Sequence, residues 1–341
     1  MTPTLQPVSL DQQLAALATT AGAYLLPAAG WLRVTGSDRH RWLAGMTTNA
    51  VQQLSPGAGC YNFILSAQGR IQGDANIYLA DVSSLLLQTS AAQLAPLTAL
   101  LDHFIIMDDV ELADVSSTLH GIAISGPHSS QLLASLDFDA ATLAPIALRE
   151  FTRNGVTGLL IAAYSPLAPA FELWLPTPDA AASLLAELTS AGATSCSPEA
   201  VEAHRILSGI PRYGTDIRDR DLPQETAQMR ALSFTKGCYI GQEIVERIRS
   251  RGAVHRTFTG FELTGPIPHL PAALELDGKP AGELTSAAII GPRTLALGYI
   301  RVDAQAQKRA LTYSSGTAMP AALPFTHATA PLAAASNDQR P

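Results

Sequence analysis

Cysteine is scarce in this chain of 341 residues. There are three, Cys60, Cys196 and Cys238, far apart and never in a CxxC pair. An odd, scattered set argues against a disulfide framework and against a zinc or iron–sulfur site built wholly by this chain; a cluster held between two chains stays open. Charge is sparse as well, at 15% of residues with a net charge of −7. That removes the global basic field of a nucleic-acid binder, so direct nucleic-acid binding is not expected. No apolar run reaches the roughly 20 residues that span a bilayer, because Pro, Asp and Gln interrupt each one. Lys and Arg are absent before Arg33, so neither a secretory n-region nor an Arg-rich transit peptide is visible, and a cytoplasmic, membrane-free chain is expected. There is no Gly-rich P-loop, no G-x-S-x-G elbow and no His-Glu-x-x-His pair, and the histidines are scattered. No metal ligand is assigned.

Apolar residues make up 47% of the sequence, enough to fill two or three cores. Helical spacing predicts helices over Asp11–Ala18, Ala91–Phe104, Asp179–Ala191 and Val201–Gly209, with Ser37 or Asp38 capping another through Trp42 and Leu43. Alternation predicts strands at 30–36, 60–65, 70–79, 159–162 and 171–175, and a strand feeding a helix at Gly126-Pro127, where proline suits the first turn. From Thr257 the pattern changes to short strands and turns, with Asp277-Gly278 as a hairpin signal. Without a regular βαβ repeat, the fold class expected is α+β with mostly antiparallel sheets.

The stretch richest in chemistry is Lys236-Gly237-Cys238-Tyr239-Ile240-Gly241-Gln242-Glu243. Only Ile240 is plainly apolar, and Glu243 opens a helical pattern through Ile244, Val245 and Ile248, so it reads as a loop turning into a helix. Cys238 then lies near a helix N-terminus and two residues from Lys236, both of which favour thiolate over thiol. The plainer alternative is a small buried hydrophobe. His204 or His255 could serve Cys238 as a base, which sequence alone does not decide.

This octet resembles the K-G-C-Y-x-G-Q-E signature of the YgfZ-type folate-binding proteins, which share the fold of the glycine cleavage T-protein. The upstream run Ile210-Pro211-Arg212-Tyr213-Gly214-Thr215-Asp216-Ile217, then Leu222-Pro223-Gln224-Glu225, is similar to the module that leads into it. Near the start, Val34-Thr35-Gly36-Ser37-Asp38 and Gly69-Arg70-Ile71-Gln72-Gly73-Asp74 resemble the opening of the T-protein fold. The resemblance implies a three-lobed T-protein-like (aminomethyltransferase folate-binding) fold around a ligand channel. Its parts would be an N-terminal α/β lobe over 1–115, a second over 116–250, a small C-terminal β-barrel over 251–326 and a disordered tail from 327. It implies a tetrahydrofolate-binding protein that supports iron–sulfur cluster assembly or repair in client enzymes, and so indirectly tRNA modification. Iron–sulfur client enzymes or cluster-assembly proteins would be its partners. The rival is a folate-dependent aminomethyl- or methyltransferase of the T-protein type, and a third reading is an adaptor that has lost its ligand.

Under that resemblance Cys238, assisted by Lys236, carries the chemistry, as redox nucleophile or transient cluster ligand. Asp74 and Glu172 would face the folate, since a carboxylate accepts the paired N–H donors of a pterin; the plainer alternatives are a solvated strand-end aspartate and a glutamate on the wet face of its strand. Glu172 alternates with Phe171 and Leu173, which places it on the face of Trp174. Arg205 could hold the glutamate tail of a folate, or pair with Glu202 on its own helix. Trp31 could wall the ligand, or lie in the core; Tyr239 is the remaining ligand candidate. Arg247, Arg249, Arg251 and Arg256 form a local basic segment, a solvated helix face or a docking surface.

Overall fold

The computed structural model of the chain describes residues 8–252 and 254–326. The tail expected from 327 lies outside the described residues. Helix α1 (Leu10–Thr19) opens with a capping box, in which Ser9 and Gln12 each accept the other's backbone N–H. Strands β1 (Gly22–Leu25) and β2 (Ala29–Thr35) follow, then α2 (Arg39–Met46), β3 (Gly59–Leu65), β4 (Ile71–Asp81), β5 (Ser84–Ser90), α3 (Ala91–Asp102) and β6 (Glu111–Asp114). Five of these strands form an antiparallel sheet in the order β3-β4-β5-β2-β6. Alternation gives it two unlike faces. Leu32, Val34, Ala75, Ile77, Leu85 and Leu87 point one way, into a core closed by Trp42 and Leu43 of α2 and by Leu94, Leu97 and Leu101 of α3. The other face carries Asp74, Asn76 and Tyr78 of β4 with Gln88 and Trp31 beside them.

The second group runs β7 (His120–Ser125), α4 (Ser129–Ser135), β8 (Ala147–Arg153), β9 (Val156–Ala163), β10 (Ala170–Leu175), α5 (Pro178–Ser190), β11 (Thr194–Ser195) and α6 (Pro198–Ser208). Its sheet is 6-stranded, in the order β11-β1-β7-β10-β9-β8. Every pairing is antiparallel except β1 with β11. Phe171, Leu173 and Leu175 pack outward on Leu133 of α4 and on Leu184 and Leu188 of α5. Inward, Leu148, Ile161 and Trp174 meet Trp31, Tyr78 and Leu86 of the first sheet. The two sheets thus lie face to face, and their inner faces carry the polar side chains.

The lobe boundary expected at residue 115 needs correction. β1 leaves the first lobe and becomes an interior strand of the second sheet, while α1 packs on α6 through Leu14, Leu17, Ala200 and Ala203. Periodicity reveals an element but not its partner, and here the partners lie far along the chain. Gly22 is required where the strands converge: a Cβ there would come within 2.6 Å of Cys196 Sγ and 2.7 Å of Leu17. Two local expectations shift as well. Asp38 precedes α2 but makes no capping bond; its carboxylate accepts the Asp109 N–H instead. Pro127 stands before the His128 cap of α4, outside the helix.

After α6 comes a long irregular run to α7 (Gln242–Arg251), the helix opened by the octet, and then the third lobe. Strands β12 (Arg256–Thr264), β13 (Ala272–Leu276), β14 (Lys279–Ile290), β15 (Arg293–Arg301), β16 (Leu311–Tyr313) and β17 (Gly316–Ala321) close into a barrel. Asp277 and Gly278, with φ of 52° and 73°, make the tight turn between β13 and β14 that their sequence signals. The barrel docks on α6 by packing Phe258, Leu295, Leu297 and Phe325 around Ile206 and Leu207. No helix among the described residues is long and apolar enough to cross a membrane.

Candidate functional site

Asp74 and Glu172 sit on the inner faces of the two sheets, on β4 and β10. Both are half-buried, enclosed by protein yet retaining accessible surface. Asp74 is held on two sides: the Tyr61 hydroxyl donates to Oδ2 at 2.6 Å and Gln93 Nε2 to Oδ1 at 2.8 Å. Glu172 takes the Gln88 amide at 2.6 Å and the Trp174 indole N–H at 2.8 Å, both on Oε2. Among the described residues no hydrogen bond reaches Oε1. The Glu172 network extends to Asn76, whose Nδ2 donates to Gln88 Oε1 at 3.2 Å. Burial raises the pKa of both carboxyls, with the hydrogen bonds to each pulling the other way. Burial likewise pushes Tyr61 and Tyr78 well up, and the nearby charge of Asp74 or Glu172 adds to it.

Arg230 completes the cluster, and no pattern in the sequence points to it. It follows Leu222-Pro223-Gln224-Glu225 in an irregular segment without periodicity. Its guanidinium lies between two rings, 4.0 Å from the Tyr61 centroid and 3.8 Å from that of Tyr164. Nε donates to Gln228 Oε1 at 3.1 Å, but Nη1 is buried without a partner. Burial lowers its pKa, and the charge of Asp74 is close enough to oppose that. Asn76 Oδ1 is also buried and unpaired. Native interiors rarely leave such atoms orphaned.

The other expected residues are placed differently. Arg205 is spent structurally: it forks onto Glu202 at 2.8 and 3.0 Å, pairs with Asp216 at 2.7 Å, and also reaches Ser286 Oγ and the Ile210 carbonyl. Its donors hold α6 to the barrel and leave nothing for a folate tail. Trp31 is 2% exposed and packs edge-on to Trp174 with centroids 5.4 Å apart. It therefore steadies the indole that bonds Glu172. Tyr239 is core, packed with Phe63, Leu65 and Val245. Burial raises its hydroxyl to about 12.

Lys236 turns inward as well. Its ammonium donates to the carbonyls of Ala44 and Thr47 at the C-terminal end of α2, while Ile240 N–H bonds Gly45 O. Burial lowers Lys236 to about 8, and the thiol that interacts with its charge is Cys60, half-buried and bonded by Asn62, instead of Cys238. Cys238 is exposed, four residues before α7, and among the described residues no hydrogen bond joins it to Asp74, Glu172 or Arg230. The plain reading of Cys238 as a buried hydrophobe is thereby set aside. His204 is buried in α6. In the basic segment, Arg256 is drawn into ion pairs with Asp221, Glu225 and Glu283, while Arg249 pairs with Glu246. Among the described residues no cluster of three or more His, Cys, Asp or Glu side chains could hold a metal ion.

Residues 8–236 match the family model described as the GCVT N-terminal domain. An aminomethyltransferase of Herpetosiphon aurantiacus is 30% identical, over 73% of this chain and 69% of its own. Another, from Geobacillus kaustophilus, is 29% identical over 82% of this chain and 78% of its own. A chloroplastic protein of Arabidopsis thaliana that bears the name of a transferase is 26% identical over 81% of this chain; the match spans 64% of that longer relative, just under two thirds. Among solved structures, the glycine cleavage system aminomethyltransferase T from Bartonella henselae matches with a TM-score of 0.83, covering 95% of this chain and 91% of that one at 18% identity. The chain belongs to the GCVT family and has the three-lobed fold of the glycine cleavage T-protein.

Proposed function

We propose that the two sheets enclose a cleft at these carboxylates and that the chain binds tetrahydrofolate or a close derivative in it. The observation that carries this is the pair of carboxylates, Asp74 and Glu172, held on facing strands with polar atoms around them left unpaired. Glu172 Oε1 and Asp74 would accept N–H groups of the pterin, and Asn76 would meet its remaining polar edge. When bound, a reduced folate supplies a carrier for one-carbon units. The chain's own residues bind and orient it: Trp174 and Gln88 fix the Glu172 carboxylate, while Tyr61 and Gln93 fix that of Asp74. A carboxyl whose pKa is raised by burial is suited to take up and release a proton, which makes Asp74 the candidate acid–base group.

Two activities fit such a cleft. The relatives' names favour aminomethyl transfer. The YgfZ-type reading, support of iron–sulfur cluster assembly or repair in client enzymes, draws on the octet: Cys238 is exposed and so open to a partner. The family match ends at Lys236, where the octet begins, and bears only on what precedes it.

Calorimetric titration with tetrahydrofolate tests the shared premise. Binding should be lost or strongly weakened in Glu172→Gln, and a wild type that neither binds nor is thermally stabilised by folate leaves the adaptor reading. Formation of methylenetetrahydrofolate from a lipoyl-linked aminomethyl donor would establish the transferase. Absence of turnover, with iron–sulfur enzyme activities lost in cells carrying Cys238→Ser, would establish the other.

A further inference from the structure

A buried guanidinium ordinarily has a carboxylate in contact, because an unpaired buried charge is costly. Arg230 has none: it makes no ion pair, and its terminal Nη1–Nη2 edge donates to no protein atom among the described residues. The oxygens of nearby Asp74 accept from Tyr61 and Gln93, and neither is bonded to Arg230. The two tyrosine rings fix the plane of the guanidinium and leave its edge as the only direction for a further bond. Its neighbours Tyr164 and Gln228 form part of the wall of a pocket of about 300 Å³ between the second lobe and the barrel. Ser208 lines the same pocket, and its hydroxyl is buried with no partner. An unpaired guanidinium edge therefore lies against two residues of the wall of a pocket that also holds an unpaired hydroxyl. The larger pocket of about 770 Å³ beside the barrel differs: Arg220 and Arg256, which line it, are already paired with Glu283.

We propose that Arg230 binds a carboxylate of the folate's glutamyl tail, so that the tail leaves the cleft past Tyr164 and enters the pocket that holds Ser208. The inference rests on the folate reading and assigns to Arg230 the role that the sequence offered to Arg205. A planar fork suits a carboxylate, which it can engage through two parallel hydrogen bonds.

The test compares two ligands on the full chain by calorimetry: tetrahydrofolate, and 6-methyltetrahydropterin, which shares the ring but has no carboxylate. Wild type should prefer tetrahydrofolate. Arg230→Gln should weaken tetrahydrofolate about 10–100-fold and leave the pterin within about twofold. Arg230→Lys should fall between, keeping charge but losing the fork. Equal loss for both ligands, or no loss for either, overturns the assignment. So does a wild type that binds both ligands equally. A wild type that binds neither shows instead that the folate reading has failed, and the assignment falls with it. If melting curves show that Arg230→Gln does not fold, Arg230→Lys carries the same comparison.

Discussion

Arg205 and Arg230 are both withdrawn from water, and the protein treats them in opposite ways. Arg205, with 14% of its side chain exposed, sits where α6 meets the barrel and uses every donor on Glu202, Asp216, Ser286 and a carbonyl. Asp216 beside it is fully buried and accepts from Thr285 and Ser286 too. Arg230 keeps its terminal edge unbonded between two tyrosines. A closed network of buried polar groups fixes one lobe against another. An open one has capacity to spare for something that is not protein. The distinction lies in how the hydrogen bonds are distributed, not in residue type.

The largest effect expected from breaking this contrast is at the closed end. Asp216→Ala removes one of the two carboxylates that hold the buried Arg205, along with the bonds from Thr285 and Ser286, and should cost about 3–5 kcal/mol in denaturant unfolding. At the open end, Asp74→Asn should weaken tetrahydrofolate about 10–100-fold by calorimetry while stability at pH 7 stays equal or rises. The sign follows from burial: the folded-state pKa of Asp74 is raised, so its ionisation costs stability as pH climbs from the unfolded value through the folded one. Asparagine never pays that cost, and the stability gap between variant and wild type should shrink toward pH 3. Equal destabilisation by the Asp216 and Asp74 substitutions would erase the contrast.

Lys236 sharpens the comparison by a smaller amount. Its folded pKa of about 8 lies below the ordinary 10.5, so the folded chain releases that proton first and stability should rise as pH increases between those values. Lys236→Met should flatten that rise by on the order of 1 kcal/mol after screening, measured as unfolding at stepped pH. The smallest effect belongs to Cys238→Ser. An exposed thiol should change stability by less than about 0.5 kcal/mol and leave folate affinity unaltered, so that any loss in cells reports on a partner. A drop in folate affinity would instead move the sulfur into the cleft.

Much of this was legible in the chain itself. Alternation around Glu172 set it beside Trp174 and opposite Phe171, as found, and Asp277-Gly278 announced its hairpin. Short strands such as β16 and β17 carry too few residues for a period to show. Other features depend on distance along the chain. Lys236 points to Ala44, 192 positions earlier, and the octet contains no sign of that direction. Arg230 escaped notice because a lone arginine in an aperiodic segment has no face; only folding shows which rings enclose it. Arg205 was ambiguous for the opposite reason, since its helical neighbour Glu202 and a distant ligand were equally good partners on paper.

The placement of β1 also has a consequence for the order in which the protein can form. Gly22 pairs with Ser125 on one side and Thr194 on the other, so an early segment must wait for the ribosome to deliver both neighbours. At typical synthesis speeds the second neighbour emerges roughly 10–30 s after the first segment. During that interval the nascent chain carries an unpaired strand, a natural point for a chaperone to hold, and the two sheets can seal only when most of the polypeptide has left the tunnel.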